Sequence, residues 1–248
     1  MKLLVTAFLL VAPAVAATTC ENLTGVKAAN STITSAQTVQ AGGFVPAGGP
    51  ADGQASFDFK KVPAFCRVQG VIQPSADSHI EFEVWLPMSG WNGRYEGLGN
   101  GGFAGSIDFG GLADAVANGY AASGTDTGHK GAATDGRWAL GHPEKIVDYG
   151  YRAIHETAEK SKAIIRAFYG GGPKHSYFNG CSNGGRQALM EAQRFPGDYD
   201  GIIAGAPGLS VTHILAGIVT NEQAMVGDTG LTPKSETFGN VTTCIEWG

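Results

Sequence analysis

The chain has 248 residues, enough for one large domain, and 43% of them are hydrophobic, so a sizeable core is expected without a metal or disulfide to hold it. The formal net charge is −5 and the basic residues form no cluster, which argues against nucleic acid as a partner.

Residues 1–17 have the pattern of a secretory signal peptide. Lys2 supplies the positive charge, residues 3–15 form the apolar run, and Ala14–Ala16 has the small residues of a cleavage site. The run is too short to span a bilayer, so an uncleaved anchor is the weaker alternative. We expect a secreted or periplasmic protein with no membrane segment after cleavage.

The cysteines fit an exported protein, because oxidising compartments favour disulfides. The sequence has four of them: Cys20, Cys66, Cys181 and Cys244. Four cysteines allow three pairings, and their spacing does not choose among them.

Three segments of the amino-terminal half predict strands. Residues 65–72 form one strand-like run, and a turn at Trp91–Gly93 leads into another at 94–98. Between them, residues 79–86 alternate, with Ile80, Phe82, Val84 and Leu86 on one face and Glu81, Glu83 and Trp85 on the other. This alternation predicts a half-buried strand.

A glycine-rich loop, residues 99–105, directly follows the strand at 94–98. Backbone N–H groups in such a loop can approach a ligand closely. In serine hydrolases a loop of this kind supplies one oxyanion donor, and the residue after the nucleophile supplies the other. The candidates are Gly101 or Gly102, and Asn183. The alternative is a flexible linker.

The middle of the chain predicts a helix at 112–118, a strand at 119–124 and a long helix at 143–169. Asp126 and His129 follow the strand and precede any candidate nucleophile, so we expect them to hold their loop by hydrogen bonds. His155 lies inside the long helix and is interpreted as a packed or capping histidine.

Residues 174–195 contain the clearest catalytic motif. An aromatic-rich run at 175–179 predicts a strand, 180–184 matches G-x-S-x-G, and a helical pattern runs to Pro196 with Ala188, Leu189 and Ala192 on one side. Strand, sharp turn and helix are the context of a nucleophile elbow.

The elbow makes Ser182 the candidate nucleophile. Its strained turn needs small neighbours, which Gly180, Gly184 and Gly185 provide. The amino terminus of the following helix favours negative charge on a tetrahedral intermediate. The alternative is an ordinary glycine-rich turn.

Residues 200–206 predict a further buried strand. Strands that alternate with helices predict an α/β fold with a mostly parallel, doubly wound sheet. The pattern fades from Leu209, and no element is predicted for residues 215–248.

The general base is harder to find. In a hydrolase with this elbow, the acid and then the histidine follow the serine. His213 is the only histidine downstream, and Asp198 and Asp200, the carboxylates before it, sit at the base of the next strand. Neither is placed to orient His213, and the sheet is short by at least two strands.

Several segments together resemble the tannase and feruloyl esterase family over roughly residues 20–210. They are residues 91–94, 99–102, 125–129, 142–153, 177–187, 191–196 and 198–207. The combination is far more specific than G-x-S-x-G alone.

The resemblance implies an α/β-hydrolase domain with a lid inserted after the strand that ends near Pro207. The chain then divides into a signal peptide at 1–17, the first part of the catalytic domain at 18–208, and the start of a lid at 209–248. It implies a carboxyl-terminally truncated member whose sheet is incomplete on its carboxyl-terminal side.

The resemblance also implies the chemistry. The family's secreted serine esterases hydrolyse esters of hydroxylated aromatic acids, such as ferulate and gallate, through an acyl-enzyme, here on Ser182. The expected partner is a small aromatic ester. No cofactor or metal site is expected in this chain. A structural calcium is expected only in the lid of a longer form, whose calcium loop opens at a cysteine matched by Cys244.

The resemblance favours a Cys20–Cys66 disulfide. Cys181 matches a family cysteine that pairs with one beside the catalytic histidine, so its partner is expected beyond Gly248.

Three functional hypotheses remain. The first is an esterase whose catalytic Asp and His are missing from this chain, which by itself is then expected to be inactive. The second is a self-sufficient hydrolase that uses His213. The third is a catalytically inactive, hydrolase-like binding module.

Overall fold

The computed structural model describes residues 17–46 and 57–227. The signal sequence to residue 16, Cys244 and the expected calcium loop lie outside the described residues. The strands are β1 (Ser31–Val39), β2 (Phe65–Ile72), β3 (Ile80–Pro87), β4 (Arg94–Leu98), β5 (Ala121–Thr125), β6 (His175–Cys181) and β7 (Gly201–Gly205). The α-helices are α1 (Phe109–Ala117), α2 (Pro143–Val147), α3 (Ala153–Tyr169), α4 (Asn183–Arg194) and α5 (Val211–Gly227).

The described strands form one seven-stranded sheet in the order β1-β2-β3-β5-β4-β6-β7. Strands β5, β4, β6 and β7 are parallel to one another, whereas β1, β2 and β3 pair antiparallel and join β5 through β3. Five strands therefore run in one direction, as the mostly parallel prediction requires. Because β4, β5 and β6 are parallel neighbours, the loops after them meet at one edge of the sheet.

Both faces of the sheet are covered. One buried cluster joins α3 and α4 to the face that carries Phe82 and Val84, and a second joins α1 to the face that carries Trp85. The half-buried prediction for β3 is therefore wrong. Trp85 is fully buried and Glu83 is 3% exposed, because Phe44 and Phe65 pack against the Trp85 ring.

Glu83 is buried at little cost because it is fully paired. Its carboxylate accepts hydrogen bonds from the Arg67 guanidinium (2.8 Å), Gln69 Nε2 (3.0 Å) and Trp85 Nε1 (2.8 Å). A buried carboxylate is tolerated when it has such partners.

The predicted Cys20–Cys66 disulfide is present and ties the amino-terminal segment to β2. The bond links residues 46 apart in sequence. Closing a loop of that size stabilises the fold by about 4 kcal/mol in the chain-entropy model.

The long helix predicted at 143–169 is interrupted. A π-helical turn, Asp148–Arg152, separates α2 from α3. A π turn inserts one residue into the helical repeat and is found mostly at functional sites. Apolar residues keep a helical spacing in the sequence across the π turn, so the pattern predicts one continuous helix.

Two further predictions need correction at the end of the sheet. Strand β7 was expected to be buried, but it is the edge strand of the described sheet and Ile203 is 64% exposed. Beyond β7 lies α5, Val211–Gly227, although no element was predicted from residue 215 onward. Of the helices in the described part of the chain, none is both long and apolar enough to cross a membrane.

The buried face of α4 is more polar than predicted: of the predicted apolar side only Ala188 is buried. Leu189 and Ala192 are exposed, whereas Gln187 and Glu191 are completely buried. Burial and the negative charge of nearby Asp198 raise the pKa of the Glu191 carboxyl to about 9. Asp198 itself is paired with His155 Nδ1 at 2.6 Å, and this hydrogen bond raises the pKa of His155.

The fold should therefore become less stable as the pH rises. Because the pKa of Glu191 is about 9 in the native protein against an ordinary 4.5, the native state holds this proton more tightly than the unfolded chain. The resulting stabilisation is complete below the ordinary pKa and is lost as the pH approaches the native value. Glu191→Gln, neutral at every pH, should escape this loss, which is at most about 1.4 kcal/mol per pH unit.

The measurement is denaturant unfolding of wild type and Glu191→Gln between pH 5 and pH 8. Glu159→Gln, an exposed position on α3, is the matched control. Parallel stability profiles for wild type and Glu191→Gln would contradict a protonated native Glu191.

Candidate active site

Ser182 lies in the turn between β6 and α4, as the elbow motif predicts. Its backbone angles are φ 59° and ψ −116°, a strained conformation for a residue with a side chain. Three backbone hydrogen bonds hold it: its N–H donates to Gly205 O (3.0 Å), and its carbonyl accepts from Arg186 N and Gly208 N (both 3.1 Å). Its side chain is exposed and does not cap α4, so the hydroxyl is available for chemistry.

The elbow can form only because its flanking residues lack side chains. A Cβ at Gly180 would lie 2.4 Å from Gly184 O, and a Cβ at Gly185 would lie 2.2 Å from Gly205 O. Both contacts are with backbone, which cannot move aside as a flexible side chain could. The geometry thus supports the predicted role of Gly180 and Gly185, whereas a Cβ at Gly184 would lie 3.3 Å from Gly99 Cα, a tight contact.

The glycine-rich loop after β4 reaches the elbow directly. Leu98 on β4 pairs with Asn179 on β6, and Gly99 N donates to Asn179 O at 2.9 Å. A Cβ at Gly99 would lie 2.7 Å from Gly184 Cα and 3.1 Å from Gly180 Cα. The two loops are therefore in backbone contact.

Amide side chains lock the loop to the first turns of α4. Asn100 N donates to Gln187 Oε1 (3.2 Å), and Gln187 Nε2 donates to Asn100 Oδ1 (2.8 Å). Asn183 Nδ2 donates to Asn100 O at 3.2 Å, and Asn100 Nδ2 reaches Thr125 O on β5 at 2.8 Å. Three adjacent strand ends are thus joined through one residue, Asn100, which uses both its backbone and its side chain.

The candidate oxyanion donors lie at this junction. Gly101 and Gly102 are exposed, and their N–H groups donate to no acceptor in the described residues. Asn183 is the first residue of α4, where the N–H groups have no partner within the helix. Gly102 has φ 55°, and a Cβ there would lie 2.3 Å from Ala133 O, so glycine is required.

Hydrogen bonds to Asp126 hold the loop after β5, as predicted. The buried Asp126 carboxylate accepts from Glu81 N and Gly128 N (both 2.9 Å) and lies 3.0 Å from Lys130 Nζ. Burial raises the pKa of Asp126 to about 6. His129 instead holds the loop by stacking on Trp138 at 3.9 Å, since its ring nitrogens hydrogen-bond to no described residue.

No histidine in the described residues hydrogen-bonds to Ser182. His155 is a packed residue, as predicted: it pairs with Asp198 and stacks on Phe195 at 3.8 Å. His213 is exposed on α5. Asp200 accepts from Ser176 N at 2.7 Å, so neither downstream carboxylate orients His213.

Cys181 is adjacent to the candidate nucleophile and is not a free thiol. The described residues do not test the pairing expected beyond Gly248, which stays a prediction. Within residues 17–46 and 57–227, no group of three or more His, Cys, Asp or Glu side chains is arranged to hold a metal ion.

Sequence reasoning missed four residues of the site: Asn100, Tyr149, Arg186 and Gln187. All four lie in segments that carry the family resemblance, and Asn100, Arg186 and Gln187 also stand inside or beside the two glycine motifs. No local pattern marked Tyr149, which the π turn places beside the site.

Gly185→Ala should destabilise the protein although alanine is the better helix former. The helix-propensity gain is about 1 kcal/mol, but forcing a Cβ against backbone costs typically 1–3 kcal/mol or more. We expect a net loss near the upper end of that range. Gly217→Ala in α5, where a Cβ meets nothing within 4 Å, is the control and should be neutral or stabilising. Equal unfolding midpoints for the two variants would contradict the packing of the elbow.

Comparison with known proteins gives this geometry a context. The family model described as "Tannase and feruloyl esterase" matches residues 66–238. An uncharacterized esterase of Xanthomonas campestris is 42% identical over 223 residues, which cover 90% of this chain and 38% of that protein. A protein named probable feruloyl esterase B-1 of Neosartorya fischeri is 41% identical over 60% of this chain and 28% of its own length.

The solved structures agree. The crystal structure of feruloyl esterase B from Aspergillus oryzae superposes with a TM-score of 0.67 at 35% identity, covering 76% of this chain and 36% of that chain. The present chain thus spans well under half the length of these relatives. The predicted α/β-hydrolase fold is confirmed, and the chain belongs to the tannase and feruloyl esterase family.

Proposed function

We propose that Ser182 is the nucleophile of a serine esterase that hydrolyses esters of hydroxylated aromatic acids, such as feruloyl and galloyl esters. The observation that carries the proposal is the exposed Ser182 in a strained elbow whose glycines contact the loop after β4, where the Gly101 and Gly102 N–H groups donate to no acceptor in the described residues. Family membership and relatives named as feruloyl esterases support the substrate class.

The chemistry follows from the positions of these groups. Ser182 Oγ attacks the ester carbonyl, and its proton passes to a general base, which returns it to the departing alcohol. The N–H groups of Asn183 and of Gly101 or Gly102 stabilise the negative oxygen of the tetrahedral intermediate. Water then hydrolyses the acyl-enzyme by the same route. No metal or cofactor takes part in these steps.

We place the general base, a histidine held by an aspartate, outside the described residues. Each described histidine either is engaged elsewhere or lacks a carboxylate partner and a contact with Ser182. His213, the alternative base, has neither a carboxylate partner nor a contact with Ser182 among the described residues.

We also propose that the protein is exported, to the periplasm or outside the cell. The signal-like sequence at residues 1–17 and the Cys20–Cys66 disulfide both support an oxidising destination.

The 248-residue chain should hydrolyse methyl ferulate and methyl gallate slowly at best. Without a base in contact, Ser182 stays protonated, and oxyanion donors with binding alone leave roughly 10³–10⁴-fold over water. Any rate that depends on the nucleophile should vanish in Ser182→Ala, and Ser176→Ala, six residues away on β6, is the matched control. In a longer form that supplies the base, Ser182→Ala should abolish activity.

The assay is release of the free acid, followed by chromatography. In the longer form, turnover by Ser182→Ala as fast as that of wild type would remove Ser182 as the nucleophile. Fast turnover by the 248-residue chain that disappears in His213→Ala would establish the self-sufficient alternative.

A further inference from the structure

The π turn between α2 and α3 places Tyr149 against both candidate oxyanion loops. The Tyr149 hydroxyl lies 2.8 Å from Asn183 Oδ1 and 3.2 Å from Gly102 O, and these two acceptors share its single hydrogen. Asn183 and Gly102 belong to the two separate segments that carry the N–H donors. Burial raises the pKa of Tyr149, so this hydroxyl keeps its proton at any working pH.

Arg186 fixes the Tyr149 backbone and its partner at the same time. Its Nε donates to Asn183 Oδ1 (2.8 Å), and its two terminal nitrogens donate to Gly150 O (2.9 Å) and Tyr149 O (3.0 Å). The guanidinium also lies over the Tyr149 ring, 4.7 Å from its centre. The two carbonyls that accept these hydrogen bonds belong to the π turn, so Arg186 ties α4 to that turn.

The other side of the turn is anchored to the loop after β5. Asp148 is fully buried, pairs with Arg152 Nε at 2.6 Å, and packs so closely on Gly128 that a Cβ there would lie 2.9 Å from Asp148 Cβ. These contacts anchor the backbone from which the Tyr149 side chain extends to the site.

We propose that Tyr149 is a positioning residue that fixes the distance between the two halves of the oxyanion hole, the Gly101–Gly102 loop and the Asn183 N–H. This inference rests on the proposed function of Ser182. Tyr149 acts through Gly102 and Asn183, and the geometry gives it no role as acid or base. Its nearest aromatic neighbour, Trp138, lies 5.3 Å away and holds the ring from the side.

The proposal predicts a specific kinetic signature. Oxyanion donors act on charge that exists in the transition state and not in the bound ester. Loosening their spacing should lower kcat and leave KM nearly unchanged. Loss of a complete oxyanion donor costs about 10²–10³-fold, and a displaced donor should cost less, on the order of tenfold.

Tyr149→Phe tests the proposal because it removes only the shared hydroxyl. Tyr151→Phe is the matched control, since Tyr151 lies on the same π turn and its ring contacts Arg194 on the far side from the loop. The first readout is hydrogen–deuterium exchange in the 248-residue chain, which requires no activity. Peptides covering residues 99–105 and the first turn of α4 should exchange several-fold faster in Tyr149→Phe and not in Tyr151→Phe.

The second readout is affinity for an aryl boronate, which forms a tetrahedral adduct with a serine oxygen. Tyr149→Phe should weaken the adduct about tenfold, and Tyr151→Phe should stay within about twofold. Binding of the free aromatic acid should not change in either variant.

The outcomes separate the two claims. If Ser182→Ala binds the boronate as well as wild type does, the proposed nucleophile is wrong. If Ser182 is required but Tyr149→Phe matches Tyr151→Phe in exchange and in boronate affinity, the positioning role is wrong. Unchanged exchange in Tyr149→Phe overturns the inference whatever the chain's activity.

Discussion

The site depends on one steric constraint, the contact of backbone with backbone among three glycines. Gly99 directly follows β4, Gly180 lies within β6 and Gly184 is the second residue of α4. A Cβ at Gly99 would lie 2.7 Å from Gly184 Cα and 3.1 Å from Gly180 Cα. Because β4 and β6 are parallel neighbours, this contact brings the loop after β4 beside the serine turn. Without it, the proposed oxyanion donors and the proposed nucleophile would lie on separate surfaces.

Polar side chains then hold the loop after β4 and α4 in the close contact that the glycines allow. Asn100, Gln187 and Asn183 cross-link the loop to α4, and Tyr149 with Arg186 adds the π turn. These bonds are buried or half-buried, where a satisfied network is rigid and a partly satisfied one is costly. The buried polar face of α4 thus has two roles, since its amino-terminal half organises the site and Glu191 lies in the core below it.

The sequence predicted much of the fold, because strand and turn signals are local. The bounds of β2 and β4, the elbow at Ser182 and the glycine loop were all readable. Burial was not: the alternation at 79–86 predicted a half-buried strand and the apolar run at 200–206 a buried one. Trp85 is nevertheless covered by Phe44 and Phe65, and Ile203 lies on an edge strand. The position of Tyr149 could not be predicted either. A π turn changes the direction in which a side chain points, but the apolar spacing of the sequence stays that of a continuous helix.

Covalent labelling of the serine is the most direct test of the central claim, that this elbow makes Ser182 a reactive nucleophile. A longer form that supplies the general base is treated with an excess of an aryl fluorophosphonate, cleaved after Lys174 and Arg186, and the resulting peptide is fragmented in a mass spectrometer. That peptide contains Ser176 and Ser182. The account predicts an adduct on Ser182 and none on Ser176. An adduct elsewhere in the chain, with Ser182 unmodified, would contradict it.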